Sequence, residues 1–233
     1  YQPIVPVNRN DQSIHFEILL RMEDEQGDCL PPGAFIPVAE RYMMMAQIDW
    51  WVIKTLFRWM DNYWDYNATD RFAINLSGQS LADENLLYQI KKLFDQHAVP
   101  TERICFEITE TAAISNLGKA QVFINELRDL GCRFALDDFG SGLRSFSYLK
   151  SLPVDYLKID GAFVKDMHED PIDYAMVKSI HNIGSVLKLK TIAEFVENEQ
   201  ILKHLQQLGV DFAQGYFIAE PRPLPKSGGP LYI

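Results

Sequence analysis

Polar side chains that could do chemistry recur inside or directly after short β-branched segments of this sequence. These residues are Glu17, Asn75, Glu107, Asp137, Asp138, Lys158, Glu194 and Gln214. If the segments are parallel strands of a barrel, their carboxyl ends meet at one mouth and the side chains converge there. A lone strand-end carboxylate is usually a helix cap or a solvated charge. Several carboxylates at one mouth repel one another unless cations or raised pKa values compensate, which predicts a cation site.

The predicted cation site is rich in hard oxygen ligands. Such ligands, without Cys or clustered His, select Mg²⁺, Mn²⁺ or Ca²⁺ over structural zinc. Asp137 and Asp138 are adjacent, and successive strand residues face opposite ways, so we expect the strand to end there and turn at Gly140. A carboxylate on each of two ions is the arrangement for two-metal hydrolysis of phosphodiesters. Lys158 is expected to assist that reaction, and Arg21 to bind a phosphate bidentately.

Strand-like segments alternate with segments of helical period along the chain. Predicted strands cover Gln2–Pro6, Ile14–Leu20, Arg71–Asn75, Arg103–Ile108, Arg133–Asp137, Tyr156–Ile159, Lys190–Ala193 and Phe212–Gln214. Predicted helices cover Gln47–Met60, Glu84–His97, Lys119–Leu130, Ile172–Leu187 and Glu199–Leu208. This alternation indicates parallel strands joined by helical crossovers, hence an α/β fold. The number of strands favours a closed barrel, with an open doubly wound sheet as the rival architecture.

The first two predicted strands are the exception to the parallel pattern. Only residues 7–13 separate them, too few for a helical crossover, and Asn10–Asp11 is turn-like, so we predict an antiparallel hairpin. No linker-like run interrupts the chain, and we expect a single domain over residues 1–224. Residues 225–233, which include Ser227-Gly228-Gly229-Pro230, are predicted to be a tail foreign to the natural chain.

Composition limits the classes of partner. The 233 residues include 22 Lys and Arg against 32 Asp and Glu, a formal net charge of −10, which argues against a general DNA-binding or anionic-membrane surface. Three widely spaced cysteines, Cys29, Cys105 and Cys132, fit reduced thiols in the cytoplasm better than a disulfide framework. No apolar run is long enough to span a membrane. Because the chain begins at Tyr1 rather than Met, we expect it to be a piece of a longer protein.

A series of short motifs carries a resemblance to a known family. The motifs are Tyr1-Gln2-Pro3-Ile4-Val5, Glu17-Ile18-Leu19-Leu20-Arg21, Phe35-Ile36-Pro37 with Ala39-Glu40, Asn75-Leu76-Ser77, Glu107-Ile108-Thr109-Glu110, Asp137-Asp138-Phe139-Gly140-Ser141-Gly142, Leu152-Pro153-Val154-Asp155, Lys158-Ile159-Asp160, Ala193-Glu194-Phe195-Val196-Glu197 and Gln214-Gly215-Tyr216. In this order, over about residues 1 to 221, they resemble the EAL-type phosphodiesterases of bacteria, which hydrolyse cyclic di-GMP.

The resemblance implies a modified TIM (β/α)₈ barrel with one antiparallel strand and two Mg²⁺ or Mn²⁺ ions at its mouth; Ca²⁺ is expected to bind and inhibit. The implied ligands of the first ion are Glu17, Asn75, Glu107 and Asp137. Asp137 also bridges to the second ion, which Asp138 completes. Lys158 assists catalysis, Glu194 is a base or supports the attacking water, and Gln214 positions water or substrate. The implied substrate contacts are Gln2, Leu20, Arg21, Asn75 and Pro221.

The resemblance also implies the linear product pGpG, a homodimer, and a cytoplasmic location, either free or as the cytoplasmic domain of a membrane-anchored protein. Glu110 is implied to anchor the loop after the strand that carries Asp137. An N-terminal sensor domain, a diguanylate cyclase domain or both are expected in the full-length protein. A receptor that binds cyclic di-GMP without cleaving it, and a barrel acting on another phosphate ester, are the competing interpretations.

Three departures from the family pattern bear on these expectations. Ile18 replaces an Ala and is expected to point away from the face of Glu17. Phe195 replaces a Gly beside Glu194, where its ring either reshapes the surroundings of that carboxylate or fills the core. Ser141 stands for Thr, and Leu143-Arg144 for Tyr-Ser, in the predicted loop that Glu110 is implied to anchor.

Overall fold

The computed structural model describes residues 1–8, 14–65, 70–140, 146–226 and 231. The strands are β1 Gln2–Pro6, β2 His15–Ile18, β3 Met22–Glu23, β4 Cys29–Leu30, β5 Arg71–Leu76, β6 Ile104–Thr109, β7 Arg133–Phe139, β8 Tyr156–Ile159, β9 Lys190–Ala193 and β10 Phe212–Ala213. The helices are α1 Pro32–Arg41, α2 Met45–Tyr63, α3 Gly78–Leu81, α4 Glu84–Gln96, α5 Glu110–Ser115, α6 Leu117–Arg128, α7 Gly161–Val164, α8 Pro171–Leu187 and α9 Glu199–Leu208. Short 3₁₀ turns cover Thr101–Arg103 and Phe146–Ser151.

Eight of these strands close into a barrel in the order β1-β10-β9-β8-β7-β6-β5-β2. Strand β1 pairs antiparallel with both of its neighbours, and the other pairs in the barrel are parallel. The prediction of an α/β barrel with one antiparallel strand is therefore confirmed, and the open doubly wound sheet is wrong. The predicted turn at Asn10–Asp11 lies outside the described residues.

The helices pack on the outside of the barrel through amphipathic faces. Helix α4, for example, buries Leu86, Ile90 and Leu93, spaced three and four residues apart, against the strands. Helix α9 begins at Asn198, whose side chain accepts a hydrogen bond from the Ile201 amide, and it ends at a left-handed glycine. These start and stop signals are local, which is why most of the predicted helix bounds lie within two residues of the observed ones.

The end of the chain returns to its beginning. The Arg222 amide donates to the Tyr1 carbonyl at 2.8 Å, and the Tyr1 amino group donates to the Arg222 carbonyl at 2.6 Å. Beyond residue 224, the Pro225 carbonyl accepts a hydrogen bond from the Trp59 indole at 2.7 Å, and Leu231 packs on the core. Parts of the segment predicted to be a tail thus contact the barrel, while Ser227–Pro230 lie outside the described residues.

The sequence predicts reduced cysteines and no membrane-spanning segment. All three cysteines are free; Cys105 and Cys132 are buried, whereas Cys29 is exposed. Among the described helices, none combines the length and the apolar character required to cross a bilayer.

Candidate active site

The alternation of side chains along the strands places the polar residues in one layer. Inside the barrel, a layer of apolar side chains contains Ile4, Ala73, Cys105, Ala135, Tyr156, Ile192 and Phe212. Two residues further toward the mouth, the inward positions are Gln2, Asn75, Glu107, Asp137, Lys158, Glu194 and Gln214. Strand β1 runs the opposite way, so its mouth-side residue has the lower number. Glu17 belongs to the same layer, because the strand register places it beside Gln2 across the β1–β2 pair.

Lys158 lies at the centre of this layer and is completely buried. Its Nζ atom lies 2.7 Å from a Glu107 oxygen and 2.8 Å from a Glu194 oxygen. Asp137 and Glu17 follow at 3.4 Å and 3.5 Å. A single ammonium group therefore holds four carboxylates, each from a different strand or strand end.

The carboxylates of this cluster carry more negative charge than one lysine neutralises. Burial raises the pKa of Glu107 well above its usual range, although the nearby Lys158 opposes the rise. Burial likewise raises the pKa of Glu194 to about 8, and burial together with the adjacent Asp137 raises the pKa of Asp138 to about 6. The cluster therefore favours an additional positive charge, either a proton or a metal cation.

Glu17 behaves differently because it is better supplied with donors. Burial acts to raise its pKa, but Lys158 and hydrogen bonds from Gln214 and Asn75 lower the pKa below its ordinary value. The Gln214 amide nitrogen donates to Glu17 at 2.7 Å and to Gln2 at 3.0 Å, and the Asn75 amide donates to the other Glu17 oxygen at 2.7 Å. The buried Gln214 carbonyl oxygen has no hydrogen-bond partner among the described residues, so it is available to a donor entering the mouth.

Asp137 and Asp138 reach the same site by a route that the sequence did not predict. Strand β7 does not end at Asp137 but continues to Phe139, with a register shift between Leu136 and Phe139. Asp138 adopts a left-handed conformation, with φ of 55°, which Asp tolerates better than most residues. Because of this irregularity, the side chains of Asp137 and Asp138 do not point to opposite faces of the sheet. The carboxylate oxygens of Asp137, Asp138 and Glu194 therefore lie within 4.8 Å of one another.

This donor set fits a hard divalent cation. Several carboxylate oxygens and an amide oxygen converge without sulfur, which suits Mg²⁺, Mn²⁺ or Ca²⁺. Three carboxylates already stand at mutual distances that one ion can span. Burial is the largest cause of the raised pKa values of Glu194 and Asp138, and the neighbouring Asp137 carboxylate adds to both, so a cation bound here offsets the rise.

A cavity of about 420 Å³ opens beside the cluster. Its lining includes the predicted substrate residues Gln2, Arg21 and Pro221, together with Glu17, Glu194 and Gln214. Leu20 lies instead in a neighbouring cavity of about 590 Å³, which also touches Arg21 and Pro221. In the described part of the chain, the Arg21 guanidinium has no carboxylate partner and donates only to the Leu20 carbonyl at 2.9 Å. An arginine in that position can receive a phosphate.

Sequence reasoning did not assign Tyr216 and Glu197, which also line the 420 Å³ cavity. Both belong to motifs already recognised, since Tyr216 follows Gln214 and Glu197 follows Glu194 at short distance. Neither lies in a strand, since β9 ends at Ala193 and β10 at Ala213, so the two-residue period that marks the other members of the site gives no signal for them.

Phe195 forms one wall of this cavity. The side chain is 57% exposed, so the interpretation that it fills the core is wrong. Its backbone adopts a left-handed conformation, with φ of 53°, which is unfavourable for a residue with a Cβ atom. The ring lies directly against Gly161, where a Cβ atom would come within 2.1 Å of Phe195 Cδ2.

Replacing Gly161 with Ala is expected to lower the free energy of unfolding by about 1 to 3 kcal/mol, because the added methyl group overlaps the Phe195 ring. Urea unfolding of the variant measures the change. Gly118→Ala is the matched control, since a Cβ atom there meets nothing within 4 Å. The double variant Gly161→Ala with Phe195→Gly should recover most of the loss; equal losses in the single and double variants would contradict this contact.

Glu110 is buried at the start of α5, and one of its oxygens accepts a hydrogen bond from the Gly140 amide at 3.3 Å. Burial and the neighbouring Glu110 carboxylate raise the pKa of the Tyr148 hydroxyl. Gly140 and Tyr148 flank residues 141–145, so Glu110 lies near both sides of the predicted loop. The loop departures themselves, Ser141 and Leu143-Arg144, lie outside the described residues.

Comparison with known proteins places the chain in a family. The EAL domain model matches residues 1–221. The chain is 44% identical over 224 residues to the cyclic di-GMP phosphodiesterase PdeB of Shewanella oneidensis, covering 96% of this chain but only 26% of that protein.

Among solved structures, the FimX EAL domain from Pseudomonas aeruginosa bound to c-di-GMP is 30% identical with a TM-score of 0.87, covering 94% of this chain and 88% of that one. The c-di-GMP complex of the PaMucR phosphodiesterase is 33% identical with a TM-score of 0.86, covering 96% and 90%. The mouth of the barrel, the order of its motifs and these matches together establish that the chain belongs to the EAL domain family.

Proposed function

We propose that this chain is a metal-dependent phosphodiesterase that hydrolyses cyclic di-GMP to linear pGpG. The observation that carries the proposal is the complete cluster of four carboxylates around the buried Lys158, which opens into a cavity that contains Arg21. Membership of the EAL family, and relatives whose names state this activity, support the same substrate.

The carboxylates and the amide oxygen at the mouth are proposed to hold two divalent cations, Mg²⁺ or Mn²⁺. Glu17, Asn75, Glu107 and Asp137 serve the first ion, and Asp137 with Asp138 the second. When bound, such ions polarise the phosphodiester and make water a stronger nucleophile at neutral pH. Ca²⁺, with the same ligand preference but a looser geometry, is proposed to occupy the site and inhibit.

The remaining polar residues are proposed to bind the substrate and move protons. Glu194 accepts the proton of the attacking water; its pKa of about 8 in the absence of cations falls when positive charge is added nearby. Lys158 donates hydrogen bonds from its buried Nζ and stabilises negative charge that develops on the reacting oxygens. The Gln214 carbonyl oxygen, free of partners among the described residues, accepts a hydrogen bond from water or substrate.

The residues that line the cavity are proposed to orient the substrate. Arg21 binds a phosphate oxygen pair, and Gln2, Leu20, Asn75 and Pro221 contact the remainder of the dinucleotide. The cyclic dinucleotide carries two phosphates, so the guanidinium of Arg21, which has no carboxylate partner among the described residues, contributes positive charge to the mouth of a chain whose formal net charge is −10.

The domain organisation of the full-length protein, its oligomeric state and its location are also proposed. The chain spans 26% to 33% of the length of the first three curated relatives it matches, so the full-length protein is proposed to carry a sensor domain, a diguanylate cyclase domain or both. We propose a homodimer in which Glu110 anchors the loop after β7 and this loop couples the site to the dimer interface, and we propose a cytoplasmic location.

Incubation of the purified chain with cyclic di-GMP tests the activity. With Mg²⁺ or Mn²⁺ we expect pGpG on chromatography, and with a chelator we expect none. A bis(p-nitrophenyl) phosphate control, tested at equal concentration, should be cleaved much more slowly. Tight binding of cyclic di-GMP without any product would instead favour the receptor function, and equal cleavage of both compounds would favour a less specific esterase.

A further inference from the structure

Asp49 is a buried carboxylate that belongs to neither the mouth cluster nor a surface ion pair. It lies on α2, outside the barrel, and is 5% exposed. In the described part of the chain, no lysine, arginine or histidine pairs with it. Burial raises its pKa. Burying a carboxylate without a neighbouring cation costs free energy unless hydrogen bonds compensate for the lost water.

The hydrogen-bond donors to Asp49, Ser77 and Ser80, lie in the turn that follows β5. One Asp49 oxygen accepts from the Ser77 amide at 2.8 Å and from the Ser80 hydroxyl at 2.6 Å. Ser77 is in turn the N-cap of α3, because its hydroxyl accepts from the Ser80 amide at 3.2 Å. The carboxylate thus fixes the backbone at the point where the strand has ended and the short helix begins.

This turn immediately follows Asn75. Strand pairing between β5 and β6 extends only to Leu76, so Ser77 is the first residue after Asn75 whose backbone the sheet does not hold. The Asn75 amide nitrogen donates to Glu17 at 2.7 Å, and because that bond uses the nitrogen, the side-chain oxygen of Asn75 remains the atom that can bind a cation. The bond to Asp49 therefore restrains the backbone just beyond Leu76.

A second contact ties the same turn to α2. The Gln79 side chain accepts from the Met45 amide at 3.2 Å and donates to the Glu40 carbonyl at 2.9 Å. Gln79 therefore links α3 to the junction between α1 and α2. Together with Asp49, this contact makes the start of α2 and the turn after β5 a single hydrogen-bonded unit.

We propose that Asp49 is a positioning residue that holds Asn75 in the orientation required to bind a divalent cation at the mouth. The inference rests on the proposed function, because it takes Asn75 as a cation ligand. Groups that orient metal ligands through hydrogen bonds typically change metal affinity by 10- to 100-fold when they are removed. Asp49 acts one step further away, through the backbone, so the lower end of that range is expected.

The test is calorimetric titration of the whole chain with Mn²⁺ alone. Asp49→Ala is expected to raise the apparent dissociation constant about tenfold. Asp49→Asn keeps an oxygen that can accept from the Ser77 amide, and it should stay within about threefold of wild type. The melting temperature of the metal-free protein is measured in parallel, because a purely structural role would lower stability in both variants without changing Mn²⁺ affinity.

Asp211→Ala is the matched control. Asp211 also accepts from a backbone amide and a hydroxyl, those of Thr191 at 2.9 Å and 3.1 Å, but it lies at the opposite end of the barrel, where Lys190 also pairs with it at 2.7 Å. It should lose stability and keep its Mn²⁺ affinity. An Asp49→Ala variant that is destabilised yet binds Mn²⁺ like wild type, or a control that is weakened equally, would overturn the proposal.

If Asp49→Ala does not fold, Ser77→Pro removes the same hydrogen bond from the other side. Ser77 has a φ of −74°, which proline adopts readily, and the substitution deletes the amide hydrogen. The same rise in dissociation constant is expected, and unchanged affinity would overturn the proposal. Failure of wild type to bind Mn²⁺ would instead overturn the proposed function, and with it this inference.

Discussion

Replacing Asp137 with Asn is expected to reduce the hydrolysis of cyclic di-GMP at least about a thousandfold. Asp137 contacts Lys158 at 3.4 Å and shares a 4.8 Å cluster with Asp138 and Glu194, so it is the carboxylate common to both groups of proposed cation ligands. Asn preserves the volume, and its oxygen can still accept from the Asp138 amide, now at 2.9 Å. The loss should therefore appear in the formation of pGpG, measured by chromatography with Mg²⁺ present.

The control for this variant is Asp155→Asn. Asp155 pairs with Arg133 at 2.8 Å and accepts from the Phe134 amide at 3.0 Å at the other end of β7. That variant should be less stable but should retain nearly full activity per folded molecule. More than a tenth of wild-type activity in Asp137→Asn would show that this carboxylate is dispensable and that the ligand assignment is wrong.

Replacing Lys158 with Met is expected to affect both stability and activity. The buried ammonium group is the only cation recorded within 4 Å of Glu17, Glu107, Asp137 and Glu194 among the described residues. Removing one partner of a buried charge cluster typically costs about 3 to 5 kcal/mol. Activity should fall about a hundredfold or more, as for other groups that assist proton transfer or stabilise charge. The sequence alone indicated that Lys158 assists the chemistry; its complete burial adds the loss of stability.

Divalent cations separate the two effects of the Lys158 variant. Saturating Mg²⁺ should restore much of the lost stability, because the ions supply the positive charge that the lysine provided. It should not restore the rate. Melting temperatures with Mg²⁺ and with a chelator, compared between variant and wild type, measure the restoration. A variant as stable as wild type in chelator would show that the carboxylates do not depend on Lys158.

Most of the candidate site could be predicted because it follows a strict period. Ala73, Cys105 and Ala135 are small inward residues, and Asn75, Glu107 and Asp137 each follow two positions later on the same strand. Hydrophobic runs identify the strands, parallel connections align their ends, and alternation then selects the face. A sequence contains all three kinds of information, so the convergence of these side chains could be predicted without a structure.

Features that break the period could not be predicted. Asp138 reaches the mouth through a left-handed residue inside β7, and nothing in Asp137-Asp138-Phe139 distinguishes this irregularity from a strand end. Asp49 is similar, because on α2 it looks like an ordinary polar residue at the edge of an apolar face. Its partners Ser77 and Ser80 are about thirty residues away, and only the packing of α2 on the barrel brings them together.

The hydrogen bonds between Tyr1 and Arg222 have a consequence for chain topology. The two residues exchange backbone hydrogen bonds of 2.6 Å and 2.8 Å across 221 positions of sequence, so these two points of the chain lie side by side. A short linker could join these ends, and a circularly permuted chain could be opened at an exposed turn such as the one at Gly27. The mouth would keep every strand neighbour, because its geometry depends on which strands are adjacent and not on where the polypeptide starts.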